Sequence, residues 1–369
     1  MTAAHRVLEV VGMSTGGIGS HVADISQALG SEPDIDIDIA APPDLQVRMP
    51  ADVIPVVIPT GLVGHRRAIR TLQDVISAGN YEVVHAHGLR AAIDATRAAA
   101  SSTAATFATI HNLVLPEISG TLRSVLYRRG ESRAVRWSDH VFAPSADIAQ
   151  RLAQAAPRHA SKVEVLHLGV PPSPTPRNRE EVRGELGLGA GQQLLVTVAR
   201  LAPQKALDVL LKAVELLPER VNLALIGSGP LESHLKSLAA GPELATRVSF
   251  LGHLASPHDY VAAADVFCLS SAWEACSLAA QEAIHLGIPV VSTDVGGMPE
   301  LIEDRISGRL VPAGDAHALA GAVADLLAAP DERRRLAANA LAHLEQHFSR
   351  STMLDRLAAA YRGRWIAVS

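Results

Sequence analysis

The chain has 369 residues, more than one hydrophobic core usually holds, so two domains are expected. With 48% hydrophobic and 19% charged residues it reads as a soluble globular protein, and a net charge of −5 gives no reason to expect nucleic acid as a partner. Cys268 and Cys276 are the only cysteines and have no metal-type spacing, which fits a reduced, cytoplasmic setting.

From the amino terminus, strand-like and helix-like stretches alternate. RVLEVVGM, DIDIDIA, VIPVVIP, YEVVHAH, ATFATIH, HVFAPS and KVEVLHLG read as strands, and HVADISQALG and RRAIRTLQDVISAG as helices between them. That alternation predicts a doubly wound α/β domain over residues 1–172. RVLEVVGM is short and runs directly into a glycine-rich turn, so it is a first strand and not a signal peptide; no stretch reads as membrane-spanning. VPPSPTPRNR is the best linker candidate, because proline removes backbone donors and fixes φ.

A second alternation begins at about residue 180 and runs to 351. LLVTVAR, VNLALIG, VSFLG, VFCLSS, PVVSTD and GRLVPAG are strands; LDVLLKAVELL, LESHLKSLA, HDYVAAA and SLAAQEAIHL are helices. The tail from about Ala316 is helical throughout.

Chemistry-bearing residues gather where strands end. The turn from Gly12 to His21, with Gly16, Gly17 and Gly19, follows a strand and opens a helix, a setting that favours a phosphate. Val22 stands where a third glycine of G-x-G-x-x-G would fall, which lowers the dinucleotide reading. His85 and His87 end one strand and His111 another. Each is a candidate polar group, and H-x-H can chelate a metal, although no third ligand is evident in the sequence. Arg200 and Lys205, five residues apart at a strand end, suit a diphosphate whose terminal oxygen gains charge. Gly227 to Pro230 form another strand-to-helix turn.

Glu274 and Glu282 flank the start of a helix within a βαβ unit, eight residues apart. That separation spans roughly 12 Å of helix, so the pair can reach two ends of one extended ligand but cannot share a proton or a metal. Asp34, Asp36 and Asp38 contain a D-x-D pattern. They alternate with Ile35, Ile37 and Ile39 as a half-buried strand does, so a metal site is not expected there.

Glu274 and Glu282, the Arg200/Lys205 pair, the G-x-G-P turn and the GGxxxH turn together resemble the retaining family 4 glycosyltransferases of the GT-B fold. The resemblance implies two Rossmann-like domains facing across a cleft: an acceptor-side domain over 1–172 and a donor-binding domain over 180–351, with a helix at about 352–369 returning to the first. It further implies transfer of a sugar from a nucleoside diphosphate sugar, UDP- or GDP-linked, to a carbohydrate, lipid-linked or small-molecule hydroxyl. No cofactor or divalent metal is implied as obligatory.

The resemblance also implies residue roles. Arg200 and Lys205 hold the diphosphate, Glu274 the sugar and Glu282 the ribose. His111 lies against the sugar. Gly16, Gly17, Gly229, Leu251, Ser277 and Leu278 line the donor site, and His21 and His87 lie on the acceptor side. Two departures stand out: Ala206 replaces a glycine usual after the lysine, and Ala275-Cys276-Ser277 replace the usual Gly-Phe-Gly.

Arg66, Arg67, Arg70, Arg123, Arg128, Arg129, Arg133 and Arg136 lie on helical stretches that suit either solvent or the anionic inner face of a membrane. A sugar phosphorylase of the same fold, a nucleotide-sugar epimerase and a non-catalytic nucleotide-binding relative are the alternatives.

Overall fold

The computed structural model describes residues 4–12, 17–50, 52–61, 63–112 and 121–363. The chain forms two compact units, 1–168 with 350–369, and 169–349.

The first unit carries β1 (His5–Val11), α1 (Gly17–Leu29), β2 (Ile35–Ala41), β3 (Val53–Pro55), α2 (His65–Gly79), β4 (Val83–His87) and α3 (Leu89–Ala99). β5 (Ala105–Thr109), α4 (Thr121–Trp137), β6 (His140–Ala143), α5 (Ala146–Ala155) and β7 (Val163–Val165) follow. All seven strands are parallel, in the order β3-β2-β1-β4-β5-β6-β7. Such a sheet is covered by helices on both faces, which is why Val7, Leu8, Val10 and Val11 of β1 are all fully buried.

The second unit carries α6 (Arg179–Glu185), β8 (Gln193–Val198), α7 (Leu207–Glu215), β9 (Val221–Ile226), α8 (Glu232–Ala239), β10 (Val248–Gly252) and α9 (His258–Ala262). It continues with β11 (Val266–Leu269), α10 (Leu278–His285), β12 (Val290–Thr293), α11 (Met298–Leu301), β13 (Arg309–Val311), α12 (Ala316–Ala328) and α13 (Pro330–His347). The sheet order is β10-β9-β8-β11-β12-β13, again all parallel. Alternate strand residues supply two cores. Leu195, Leu223, Leu225 and Cys268 pack with α7 and α12 on one face, while Leu194, Val196, Ala224 and Phe267 pack with α10 and α13 on the other.

The last helix, α14 (Arg350–Tyr361), belongs to the first unit and packs on α1. Arg350 makes a forked pair with Asp24, Arg356 pairs with Glu164, and Arg362 pairs with Asp34. Trp365, in the tail of the sequence-predicted final helix, lies outside the described residues. No helix among the described residues is long and apolar enough to cross a membrane.

Candidate functional site

In open parallel sheets, ligands bind beyond the carboxyl ends of the strands where the order reverses. In the second unit that point lies between β8 and β11. Arg200 follows β8 and is exposed; Lys205 ends a 3-10 turn, Pro203–Lys205. Four hydrogen bonds tie this loop to the segment after β11. Ser270 Oγ donates to the carbonyls of Lys205 and Ala206, both at 3.0 Å, Gln204 Nε2 donates to Trp273 O at 2.9 Å, and Ala272 N donates to Gln204 O at 2.8 Å.

Held this way, Lys205 Nζ donates to Glu274 Oε1 at 2.5 Å, and Ser271 Oγ donates to the same oxygen at 2.6 Å. Glu274 is buried, with 5% exposure, so its charge requires this compensation.

Ala206 adopts the left-handed region at φ 44°, where a side chain is costly and glycine is free. The glycine it replaces therefore has a backbone reason. Gly296, after β12, approaches the same turn. A Cβ on it would lie 1.8 Å from the Glu274 carbonyl oxygen, and Gly297 N donates to that oxygen at 3.0 Å. Gly227 meets the β8 turn similarly: a Cβ there would lie 1.9 Å from Ala199 O. Gly229 comes two residues later in the turn after β9, and Leu251 lies half-buried on β10 beside it in the sheet.

Ser277 caps α10, its side chain accepting from Ala280 N, and Leu278 begins the helix. The helix ends with Ile288 N donating to Ala283 O and Gly287 N to Ile284 O, around Gly287 at φ 73°. Glu282 therefore sits inside a short, firmly ended helix. Burial pushes its carboxyl up to about 7, and no described side chain is paired with it.

The first unit gathers its polar groups at the corresponding reversal, between β1 and β4. Glu9 on β1 is in register with His85 on β4, and alternation along the strands turns His87 to the same face. All three are fully or almost fully buried. Tyr361 OH donates to Glu9 Oε1 at 2.6 Å, so its oxygen accepts from His85 Nδ1 at 2.6 Å. His85 Nε2 then accepts from Thr109 Oγ1 at 2.8 Å. His87 Nε2 donates to Glu9 Oε2 at 2.7 Å, and His87 Nδ1 lies 3.1 Å from His111 Nε2. His21, on α1, stands edge-on to both, with ring centroids 6.0 Å from His87 and 5.4 Å from His111.

Burial outweighs the pull of Glu9 and keeps His21 low, at about 3; it also lowers His87 and, further, His111. Burial raises the Glu9 carboxyl, but His85 and His87 together hold it well below the usual carboxylate range.

The fold thus brings together Lys205 and Glu274 in one unit, and His21, His87 and His111 in the other. Gly17 opens α1, whereas Gly16 lies outside the described residues. The D-x-D aspartates face arginines: Asp36 and Asp38 on β2 meet Arg6, and Asp34, just before the strand, meets Arg362. Glu9, Ser271 and Tyr361 were not legible as site residues. Glu9 left one trace, a carboxylate in the middle of the apolar run VLEVV, and Tyr361 left none.

Residues 178–343 match the family described as Glycosyl transferases group 1, and residues 15–173 match Glycosyltransferase Family 4. A D-inositol 3-phosphate glycosyltransferase of Mycolicibacterium vanbaalenii is 33% identical over 339 residues, covering 84% of this chain and 73% of its own. One of the same name from Mycobacteroides abscessus is 31% identical over 330 residues, covering 84% and 72%. Among solved structures, Anabaena Alr3699/HepE in complex with UDP and glucose superposes with a TM-score of 0.84 at 22% identity, over 97% of this chain and 100% of that one. Sucrose-phosphate synthase from Thermosynechococcus elongatus does so at 0.83 and 20%, over 97% and 99%. The chain belongs to the family 4 glycosyltransferases of the GT-B fold.

Proposed function

We propose that this glycosyltransferase moves a sugar from a nucleoside diphosphate sugar to an acceptor hydroxyl with retention of the anomeric configuration, and needs no divalent ion to do so. The observation that carries the reading is the Lys205–Glu274–Ser271 cluster at the β8/β11 reversal, next to the start of the helix that bears Glu282. An ammonium has three donors, so Lys205 can keep Glu274 and still meet a phosphate oxygen. Both described contacts to the Glu274 carboxylate fall on Oε1, which leaves Oε2 for a sugar hydroxyl.

In this mechanism the bond from the anomeric carbon to the diphosphate oxygen breaks, and charge gathers on the diphosphate. Arg200 and Lys205 stabilise it. Glu282 accepts hydrogen bonds from the ribose hydroxyls. His111 serves the sugar, while His21, His87 and the turn bearing Gly16 and Gly17 serve the acceptor side. Gly229, Leu251, Ser277 and Leu278 border the nucleotide. The leaving phosphate oxygen takes the acceptor's proton, so no carboxylate acts as nucleophile.

UDP is the first base to test, because a solved structure with this fold binds UDP, and D-inositol 3-phosphate is the first acceptor, because relatives carry that name. We place the enzyme in the cytoplasm, where such donors are made. The exposed Arg66, Arg67, Arg70, Arg128, Arg129, Arg133 and Arg136 suit an anionic membrane face.

A donor-hydrolysis screen across UDP-, GDP- and ADP-sugars, with calorimetry on each free nucleotide, tests the reading. One nucleotide should bind, and its sugar conjugate should turn over. No nucleotide bound, or interconversion of sugars without transfer, would overturn it.

A further inference from the structure

We propose that His21, His87 and His111 form a three-histidine site for a zinc-class divalent transition metal, with the Glu9 carboxylate as the partner that orients His87.

The hydrogen-bond pattern singles out these three rings. Two groups of potential ligands are close enough to share an ion: His21, His87 and His111, and Glu9, His85 and His87. The second is already satisfied, because both nitrogens of His85 are engaged by Tyr361 and Thr109, and both oxygens of Glu9 by Tyr361 and His87. In the first, His87 donates Nε2–H to Glu9 and therefore presents the Nδ1 lone pair outward, towards His111. A carboxylate behind the far nitrogen of a histidine is the usual partner of a metal-bound imidazole, fixing its tautomer and raising its donor strength.

The distances agree. Zinc–nitrogen bonds of about 2.0–2.1 Å in tetrahedral geometry separate neighbouring nitrogens by about 3.3 Å. His87 Nδ1 and His111 Nε2 are 3.1 Å apart, and one nitrogen from each of the three rings lies within 4.8 Å of the others. The His21 ring makes no hydrogen bond among the described residues, so it can turn to close the site at no cost in partners. Three imidazoles favour zinc, cobalt, nickel or copper over magnesium or calcium. They leave a fourth position open to solvent or ligand.

One consequence rests on the function proposed above. If His111 serves the donor sugar, metal and sugar compete for it, and zinc inhibits transfer.

The test uses tag-free full-length protein stripped with a chelator. Cobalt(II) is titrated and followed by its visible absorption, and zinc by calorimetry, both without nucleotide. The expected result is one tightly held ion with a four-coordinate cobalt spectrum. His21→Ala and His87→Ala should abolish it, and Glu9→Gln should weaken binding about 10–100-fold. The helix pair of half-buried His343 and exposed His347, with ring centroids 4.6 Å apart, is the control: His343→Ala/His347→Ala should leave the spectrum unchanged. An absent cobalt band in the wild-type protein, or a band lost in the His343/His347 variant and kept in His21→Ala, would overturn the site. If zinc binds but saturating nucleotide sugar does not weaken it, the metal site stands and the assignment of His111 to the sugar fails.

Discussion

Lys205 and Glu274 form an ion pair at 2.5 Å although 69 residues separate them, because the loops after β8 and β11 are laced together by Ser270 and Gln204. The pair joins the diphosphate and sugar ends of the proposed donor site through one contact. Lys205→Ala should therefore reduce transfer at least about 100-fold, the scale of losing one preorganised charge donor. It should also lower stability by up to about 3 kcal/mol, since a buried carboxylate loses its partner. Steady-state kinetics and urea unfolding of the variant check both effects.

Glu282 provides a pH signature. Its carboxyl titrates at about 7 in the folded protein against an ordinary 4.5. Between those values the unfolded chain has released the proton while the folded chain keeps it. The penalty of burying the charge is thus absent below about pH 4.5 and fully felt above about 7. Glu282→Gln should melt at a higher temperature than wild type at pH 8 and at the same temperature near pH 4.5. Nucleotide affinity of the wild type should rise between pH 6 and 8 as the carboxylate that accepts the ribose hydroxyls forms. Glu282→Ala should bind nucleotide weakly at both. Calorimetry at the two pH values tests this.

Backbone conformation makes two opposite predictions. Ala206 sits in the left-handed region at φ 44°, so Ala206→Gly should stabilise the protein by about 0.5–1 kcal/mol. Gly296→Ala drives a Cβ to 1.8 Å from the Glu274 carbonyl oxygen at φ 54° and should cost at least about 2 kcal/mol, with loss of transfer. Denaturant unfolding of both variants reads the signs directly.

Tyr361 holds the last helix to the first sheet through Glu9 and His85. Tyr361→Phe keeps the ring and removes the hydroxyl, leaving a buried carboxylate oxygen without its donor. A loss of about 1–3 kcal/mol in thermal or chemical stability is expected.

For α2 and α4, sedimentation with anionic liposomes should show binding at low salt that is lost at high salt. No binding at low salt would remove the membrane from the account.

The residues readable from sequence share one property: their chemistry is local. Glu274 and Glu282 fall in a single βαβ segment, and Arg200 and Lys205 in a single strand-to-helix turn. Strand, turn and helix periodicity therefore place them without knowledge of the tertiary fold. The Glu9–Tyr361 bond spans 352 positions, and the His21–His87–His111 cluster draws on α1, β4 and the end of β5. Sheet order alone decides such meetings, and no periodicity encodes it. For this reason His87 showed no further ligands in the sequence, whereas the fold sets His21 and His111 beside it. Ala206 shows the converse: the replaced glycine was visible as a departure, but only its φ explains the constraint.

Sugar transfer with retention is tested most directly by following a UDP-α-sugar and D-inositol 3-phosphate with the enzyme by proton NMR. The account predicts release of UDP matched by a new α-glycosidic anomeric signal, with chelator present. A β-linked product, or an unchanged donor with every nucleotide and acceptor pair tried, would contradict it.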